Sequence, residues 1–417
     1  MLVGFGIFLG VLLPQTREYR YFEDDFQGFA QIREMPADPF IPWISERAAR
    51  KHPFYLYLIF FERELFGARA LPPFAILFIL HFTSAVLVGA FSRKLGASER
   101  QAAVAGLFFL CSSAFYQALI ILSSADSGMC FVFFMLAVLA WIDFLKTESL
   151  SSLFKAGIFQ TLAFFSAEDI VSFPLIALFL AWRLALKGKG PKPLLAKGMM
   201  ILFLFYFAAA AFILLNFFLS SRHSQWIDPG KAALFGPKII NLVKVALTST
   251  FLPARGLLAG NSALDAWLRL LPAGILLALL TLFFFRRKPA SFRLEEEDAR
   301  ALVTALGFGL ITALPYMLHP LPFEHATRYL YFPMAGFSIA FSIGAKNIYN
   351  GAGHALAWRH FVFPLFFAGV LLLNLLNNAY HFQRYKNYAL YSPDAHHVDY
   401  TERVKNLLQS PPIFAGR

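Results

Sequence analysis

Long apolar stretches recur along the whole chain, and they constrain its fold more than any other feature. A helix needs about 20 mostly apolar residues to cross a bilayer. The opening stretch, 1–13, is short for a span, and we interpret it as the end of one whose start can lie upstream of Met1. We expect an all-α polytopic integral membrane protein with about eleven transmembrane helices, the other ten being 72–91, 102–122, 128–145, 153–165, 170–186, 198–219, 268–285, 301–318, 329–345 and 361–379.

The composition excludes several classes of protein. Hydrophobic residues make up 58% of the 417 residues and charged residues 15%, whereas soluble domains average about 25% charged residues. The chain therefore has too few charges to cover the surface of a soluble enzyme, and its 50 Phe exclude disorder. Cys111 and Cys130 lie in apolar runs, where we interpret them as packing residues. No phosphate-binding glycine loop is present, which argues against a nucleotide donor.

The distribution of charge predicts an orientation. If the N-terminus is cytoplasmic, basic residues concentrate on the inner connections, and Arg328 is the only Lys or Arg on the short outer connections near 123–127, 166–169 and 319–328. Positive charge marks cytoplasmic loops, so the net charge of +12 needs no nucleic-acid partner. Most acids fall on the outer side. We expect a bacterial inner (plasma) membrane protein whose active site faces the periplasm or exterior.

The first outer loop, 14–71, contains two features of interest. The segment Pro53–Phe66 is too short to cross a bilayer and predicts an interfacial helix. Earlier in the loop, Glu23, Asp24 and Asp25 are adjacent acids whose mutual repulsion raises at least one pKa, as suits a general base or a metal ligand. The alternative is a solvated acidic start of a helix.

Two further outer connections carry charge next to apolar spans. Glu168 and Asp169 interrupt the apolar run 153–186, and either they serve a site or they form a plain turn between spans. Arg328 and Tyr329 lie at the mouth of the span 329–345. An arginine there can hold a lipid phosphate through two parallel hydrogen bonds, or the pair can act as an interfacial anchor.

Four other polar residues are candidate site residues, and each also has an ordinary structural interpretation. His81, inside the span 72–91, is either a ligand-binding residue or a hydrogen-bonded core residue. Asp126 either lines the site or caps the following helix. Lys51 and His52, just before the interfacial helix, contact a phosphate or lie among lipid headgroups.

Several of these motifs occur together, and in the same order, in one known family. The chain resembles GT-C type membrane glycosyltransferases, which include protein O-mannosyltransferases, aminoarabinose transferases and the O-mannosyltransferases that carry TPR repeats. The resemblance covers about 20–345. It rests on the pair Asp24-Asp25, Lys51-His52-Pro53-Phe54-Tyr55, Leu80-His81, Ser166-Ala167-Glu168 and Thr327-Arg328-Tyr329-Leu330-Tyr331-Phe332-Pro333.

The resemblance implies a mechanism. A hexosyl or pentosyl group would move from a polyprenyl-phosphate donor to an acceptor hydroxyl on a glycan, lipid or protein, with inversion. Asp24 would be the general base beside Asp25, while Arg328 and Lys51 would stabilise the leaving lipid phosphate. The remaining substrate-binding residues would be His52, His81, Asp126, Glu168, Asp169 and Tyr329. Some relatives use a divalent metal near the acidic pair and others do not, so metal use stays open.

Two other functions fit the same chain. A secondary transporter or flippase for a lipid-linked sugar would place ionisable residues and broken helices near the membrane midplane, whereas most spans here are free of charge. An inactive envelope-assembly scaffold would keep the fold without the chemistry.

The sequence divides into a catalytic transmembrane domain, 1–379, and a short outer tail, 380–417.

Overall fold

The computed structural model describes residues 1–18, 53–66, 71–121, 124–185, 193–219, 295–317, 330–351 and 359–391. These ranges contain twelve α-helices, two 3₁₀ segments (Leu13–Glu18 and Glu168–Ser172) and no β-strand. The all-α fold of an integral membrane protein is therefore confirmed. The helices are α1 Leu2–Leu12, α2 Pro53–Phe66, α3 Leu71–Lys94, α4 Glu99–Cys111, α5 Gln117–Ile120, α6 Ala125–Thr147, α7 Leu150–Phe164, α8 Phe173–Ala185, α9 Pro193–Leu219, α10 Glu296–Met317, α11 Tyr331–Gly351 and α12 Arg359–Tyr391.

Three of the described helices are both long enough and apolar enough to cross a membrane. They are Leu71–Lys94, Ala125–Thr147 and the part of α10 from Glu296 to Tyr316, and shorter apolar helices cover Leu2–Thr16, Ile170–Leu184 and Leu195–Ala211. The predicted span 268–285 lies outside the described residues. The total of eleven spans stays a prediction.

The connection between α3 and α4 shows how the local sequence ends one helix and starts the next. Gly96 follows α3 with a φ of 101°, a left-handed conformation that glycine adopts without steric cost. Ser98 then forms a capping box with Gln101: the Gln101 backbone N–H donates to Ser98 Oγ at 3.3 Å, and the Ser98 backbone N–H donates to Gln101 Oε1 at 2.8 Å. Both bonds satisfy N–H groups that a helix start leaves unpaired.

The structure breaks the predicted span 102–122. Helix α4 ends at Cys111, the chain runs on with an extended Ser112, and helicity returns only in α5. Asparagines of α12 bond the backbone groups that lose their helical partners at this break. Asn378 Nδ2 donates to the carbonyls of Cys111 and Ser112 at 3.1 and 3.3 Å, and the Ser113 N–H donates to Asn374 Oδ1 at 3.0 Å. Irregular backbone at membrane depth is tolerated only with such partners.

The bundle is built from consecutive helices that pack against each other, notably α3 on α4, α6 on α7 and α10 on α11. Aromatic rings fill the space between these pairs. The Tyr331 ring packs edge-on against Phe109, Phe115 and Phe131, with centroids 5.2, 4.8 and 5.0 Å away. Helix α2 lies against α3 and α6 through buried Tyr55, Leu56 and Ile59, and α12 lies beside α1 and α4.

Charged side chains pair at helix ends that the sequence assigns to the inner side. Lys94 at the end of α3 forms an ion pair with Asp143 of α6. Lys346 near the end of α11 pairs with Asp298 at the start of α10, with 2.9 Å between Nζ and Oδ2. Neighbouring helices are thus joined by charges at the ends that carry the predicted cytoplasmic loops.

Candidate functional site

Two chain segments that flank the predicted site residues pack on neighbouring helices of the bundle, and both contact α3. Asp24 and Asp25 follow the 3₁₀ segment Leu13–Glu18, which packs on α3 and α12. Arg328 and Tyr329 precede α11, whose first residue, Tyr331, contacts α3, α4 and α6 through its ring. The site predicted from dispersed motifs is therefore flanked by elements of one bundle.

Most of the predicted site residues lie outside the described part of the chain. This holds for the two residues assigned to catalysis and for four assigned to substrate binding: Asp24, Asp25, Lys51, His52, Arg328 and Tyr329. For Glu168 and Asp169 the backbone is described, and it forms the start of the 3₁₀ segment Glu168–Ser172 between α7 and α8. The roles of all eight stay predictions.

The start of α2 is bound directly to the connection that contains Glu168. The Phe54 backbone N–H donates to the Phe165 carbonyl at 3.1 Å, and the two rings meet edge-to-face with centroids 5.9 Å apart. Cys130 Sγ of α6 donates to the Ala167 carbonyl at 3.6 Å. The Phe54–Phe165 contacts hold the start of α2, which follows Lys51 and His52, against the residues that precede the 3₁₀ segment Glu168–Ser172.

His81 is a buried, fully bonded residue of α3. Its side chain is 1% exposed, with Nε2 2.9 Å from the Leu110 carbonyl and Nδ1 2.8 Å from the Tyr331 hydroxyl. Because a carbonyl can only accept, Nε2 must carry the proton, and in the neutral imidazole Nδ1 then accepts from Tyr331. This geometry favours the interpretation of His81 as a hydrogen-bonded core residue over that of a ligand.

Asp126 lies in the first turn of α6, where the structure gives it a local partner. Its Oδ1 accepts a hydrogen bond from the Ser127 backbone N–H at 2.5 Å. A carboxylate in this position satisfies a backbone donor at the helix start and interacts favourably with the helix dipole. Asp126 lies inside α6, after the N-cap residue Ser124, so this contact is local to the first turn, and both the capping and the substrate-binding alternatives stay predictions.

The buried face of α12 carries three asparagines that the sequence motifs did not single out: Asn374, Asn377 and Asn378, which are 1%, 5% and 0% exposed. Two of them support the break after α4. Within the described part of the chain, the oxygens Asn377 Oδ1 and Asn378 Oδ1 are buried without a hydrogen-bond partner. The signal that could have found them is the occurrence of amides in an otherwise apolar span, where polar groups are costly and commonly functional.

A second residue missed by the motifs is Glu62 of α2. It is 6% exposed and continues the buried stripe of Tyr55 and Ile59 at helical spacing. Burial raises the pKa of Glu62 to about 8, because removal from water disfavours the carboxylate. An acid placed in register with the apolar face of an amphipathic helix is the sequence signal for such a group.

The described residues supply no metal centre. No group of three or more His, Cys, Asp or Glu among them is arranged to hold an ion. Both cysteines are buried thiols, as expected for packing residues. The acidic pair Asp24-Asp25, the position at which the resemblance allows a divalent metal, lies outside the described ranges, and no chemical step below depends on a metal.

Comparison with known proteins identifies a shared fold. No known family model matches the chain, and no curated protein matches it. The crystal structure of the Archaeoglobus fulgidus oligosaccharyltransferase with zinc and sulfate aligns with a TM-score of 0.50 at 15% identity, over 99% of this chain and 57% of that one. Its apo form aligns at 0.49 with 15% identity, over 99% of this chain and 60% of that one.

At this level of identity the likeness shows the fold alone. The chain spans less than two thirds of the length of these structures. The shared fold agrees with the GT-C type that the motifs imply, and the type and its subgroup stay predictions. The described helical bundle therefore shares its fold with the Archaeoglobus fulgidus oligosaccharyltransferase.

Proposed function

We propose that this chain is a glycosyltransferase that moves a hexosyl or pentosyl group from a polyprenyl-phosphate donor to an acceptor hydroxyl. The reaction takes place at the outer face of a bacterial inner membrane. The observation that carries the proposal is the arrangement of the flanking segments: Leu13–Glu18, the start of α2, the 165–172 connection and the start of α11 pack on neighbouring helices of one bundle. They adjoin or contain four of the five motifs of the resemblance, and the fifth, Leu80-His81, lies inside α3.

The chemistry assigns one role to each predicted residue. Asp24 removes the proton of the acceptor hydroxyl, whose oxygen attacks the anomeric carbon with inversion. The bond from that carbon to the phosphate oxygen breaks, and the polyprenyl phosphate leaves with the bonding electron pair. Arg328 and Lys51 stabilise the negative charge that develops on the phosphate. Asp25, His52, Glu168, Asp169 and Tyr329 position the two substrates.

The described contacts support a preorganised site for this reaction. Phe54 is fixed to Phe165 and Cys130 to Ala167, so the chain that follows Lys51-His52 and the chain that precedes Glu168 have anchored backbone. Anchoring reduces the reorganisation needed when charge develops in the transition state.

The distinction between a transferase and a flippase is the first test of the proposal. The purified chain is reconstituted into liposomes that contain undecaprenyl-phosphate hexoses or pentoses labelled in the sugar. A transferase releases undecaprenyl phosphate and passes the label to an acceptor or to water. Movement of the intact labelled lipid between leaflets, without release of phosphate from any sugar in the panel, would contradict the proposal and favour transport.

A further inference from the structure

The amide of Asn377 stands out on the buried face of α12, because it is the asparagine whose burial the fold does not explain. We propose that Asn377 binds a hydroxyl of the sugar carried by the lipid donor. The inference rests on the proposed function and identifies the part of the substrate that this position contacts. It is carried by a comparison of Asn377 with its two neighbours, Asn374 and Asn378.

Both neighbours have a structural role that fixes their orientation. Asn374 Oδ1 accepts from the N–H and the hydroxyl of Ser113 at 3.0 Å each, and its Nδ2 donates to the Val370 carbonyl at 2.9 Å. Asn378 Nδ2 donates to two carbonyls, those of Cys111 and Ser112. Carbonyls cannot donate, so neither amide can be flipped. These two residues hold the break after α4.

Asn377 has no such role. It is 5% exposed, its Oδ1 is buried without a partner, and no hydrogen bond joins its amide to any other residue in the described ranges. An unpaired polar group in a native interior costs free energy, so its presence calls for a specific explanation. Because no hydrogen bond holds the amide, it can rotate toward a ligand without breaking an existing interaction.

The position of Asn377 is appropriate for the head of a lipid-linked substrate. It falls near the end of the predicted span 361–379, at the end that the predicted topology places on the outer side. Helix α12 packs on the 3₁₀ segment Leu13–Glu18, which leads into the loop that carries Asp24. One turn further, the His381 ring stacks on Tyr116 with centroids 3.7 Å apart.

The chemistry of the amide selects the sugar rather than the phosphate. A phosphate oxygen can only accept hydrogen bonds and would leave Asn377 Oδ1 unpaired. A sugar hydroxyl both donates and accepts, so it satisfies Oδ1 and Nδ2 together. A buried water molecule has the same capacity, and the experiment must separate the two.

The test compares binding of two lipids to the purified full-length chain. Undecaprenyl phosphate without sugar and the undecaprenyl-phosphate sugars of the panel are titrated against the wild type, Asn377→Leu and Asn378→Leu. Asn377→Leu is expected to weaken binding of a sugar-bearing lipid about tenfold or more and to leave binding of the sugar-free lipid unchanged. Its melting temperature is expected to equal or exceed that of the wild type, because leucine removes an unpaired amide.

Asn378→Leu is the structural control, since it leaves the Cys111 and Ser112 carbonyls without donors and should lower the melting temperature. Equal affinity of Asn377→Leu and the wild type for sugar-bearing lipids would overturn the inference while leaving the proposed function intact, and would indicate that the amide holds water. Equal weakening toward both lipids, with a lowered melting temperature, would make the residue structural and also overturn it. A wild type that binds no lipid of the panel would contradict the proposed function itself.

Discussion

The contact between α10 and α11 gives the sharpest prediction about the fold. A Cβ added at Gly336 of α11 would lie 2.6 Å from the backbone nitrogen of Gly309 and 2.9 Å from its Cα, and it would also collide with the Ala305 carbonyl oxygen. All three are backbone atoms of α10, so no side chain can rotate away. Small residues at membrane helix interfaces allow this close approach, and Gly336→Ala must push the two helices apart.

The magnitude follows from two opposing effects. Overpacking a well-packed interior costs about 1 to 3 kcal/mol, and the added Cβ collides here with the backbone of α10, which places the cost at the upper end of that range. Replacing glycine by alanine within a helix recovers about 1 kcal/mol. The net loss of unfolding free energy is therefore about 2 kcal/mol.

The assay is unfolding of the purified chain by titration with a denaturing detergent, followed by helical circular dichroism. Gly344→Ala is the matched control, because it lies on the same helix with no atom within 4 Å of the added Cβ. It should be neutral or more stable by up to about 1 kcal/mol. If Gly336→Ala is as stable as Gly344→Ala, the two helices do not approach at this point and the packing described here is wrong.

Three further predictions concern polar groups. Tyr331→Phe removes the hydroxyl that donates to buried His81 Nδ1 and should cost about 1 to 3 kcal/mol in the same titration; wild-type stability would contradict the assigned hydrogen bond. Burial raises the pKa of Glu62 on α2 from 4.5 to about 8, so the folded protein favours the protonated form. The melting temperature should therefore fall as pH rises from 4.5 to about 8, and Glu62→Gln should abolish this fall. A Glu62→Gln variant with the same pH profile as the wild type would refute the prediction. Asp143→Asn breaks a half-exposed ion pair with Lys94 and should change the unfolding free energy by at most about 1 kcal/mol, and a larger loss would show that the pair is not solvent-screened.

The long apolar helices could be predicted from sequence because their signal is local. The predicted span 72–91 corresponds to Leu71–Lys94 and 128–145 to Ala125–Thr147, since uniform hydrophobicity over about 20 residues has few other solutions. The segment Pro53–Phe66 is helical as predicted. Its packing on α3 and α6 could not be predicted, because the contact joins segments that are distant along the chain.

The break after α4 shows what the sequence does not reveal. The stretch 102–122 is mostly apolar, and the groups that stabilise its irregular backbone are asparagines more than 250 positions away, with Ser113 and Asn374 separated by 261. The same separation hides the His81 environment, since Tyr331 lies 250 positions further along. Motif order points to a candidate site, but the partners of each polar group depend on tertiary packing.

The most direct test of the central claim is the dependence of donor cleavage on Asp24. The purified chain is incubated with undecaprenyl-phosphate sugars, and release of undecaprenyl phosphate is measured for the wild type, Asp24→Asn and the control Asp143→Asn, whose carboxylate pairs with Lys94 at the predicted inner side. The account predicts release by the wild type and by Asp143→Asn, and a loss of at least about 100-fold in Asp24→Asn, the contribution expected of a general base. Equal release by Asp24→Asn and the wild type would contradict the assigned base, and no release by any of the three proteins would contradict glycosyl transfer itself.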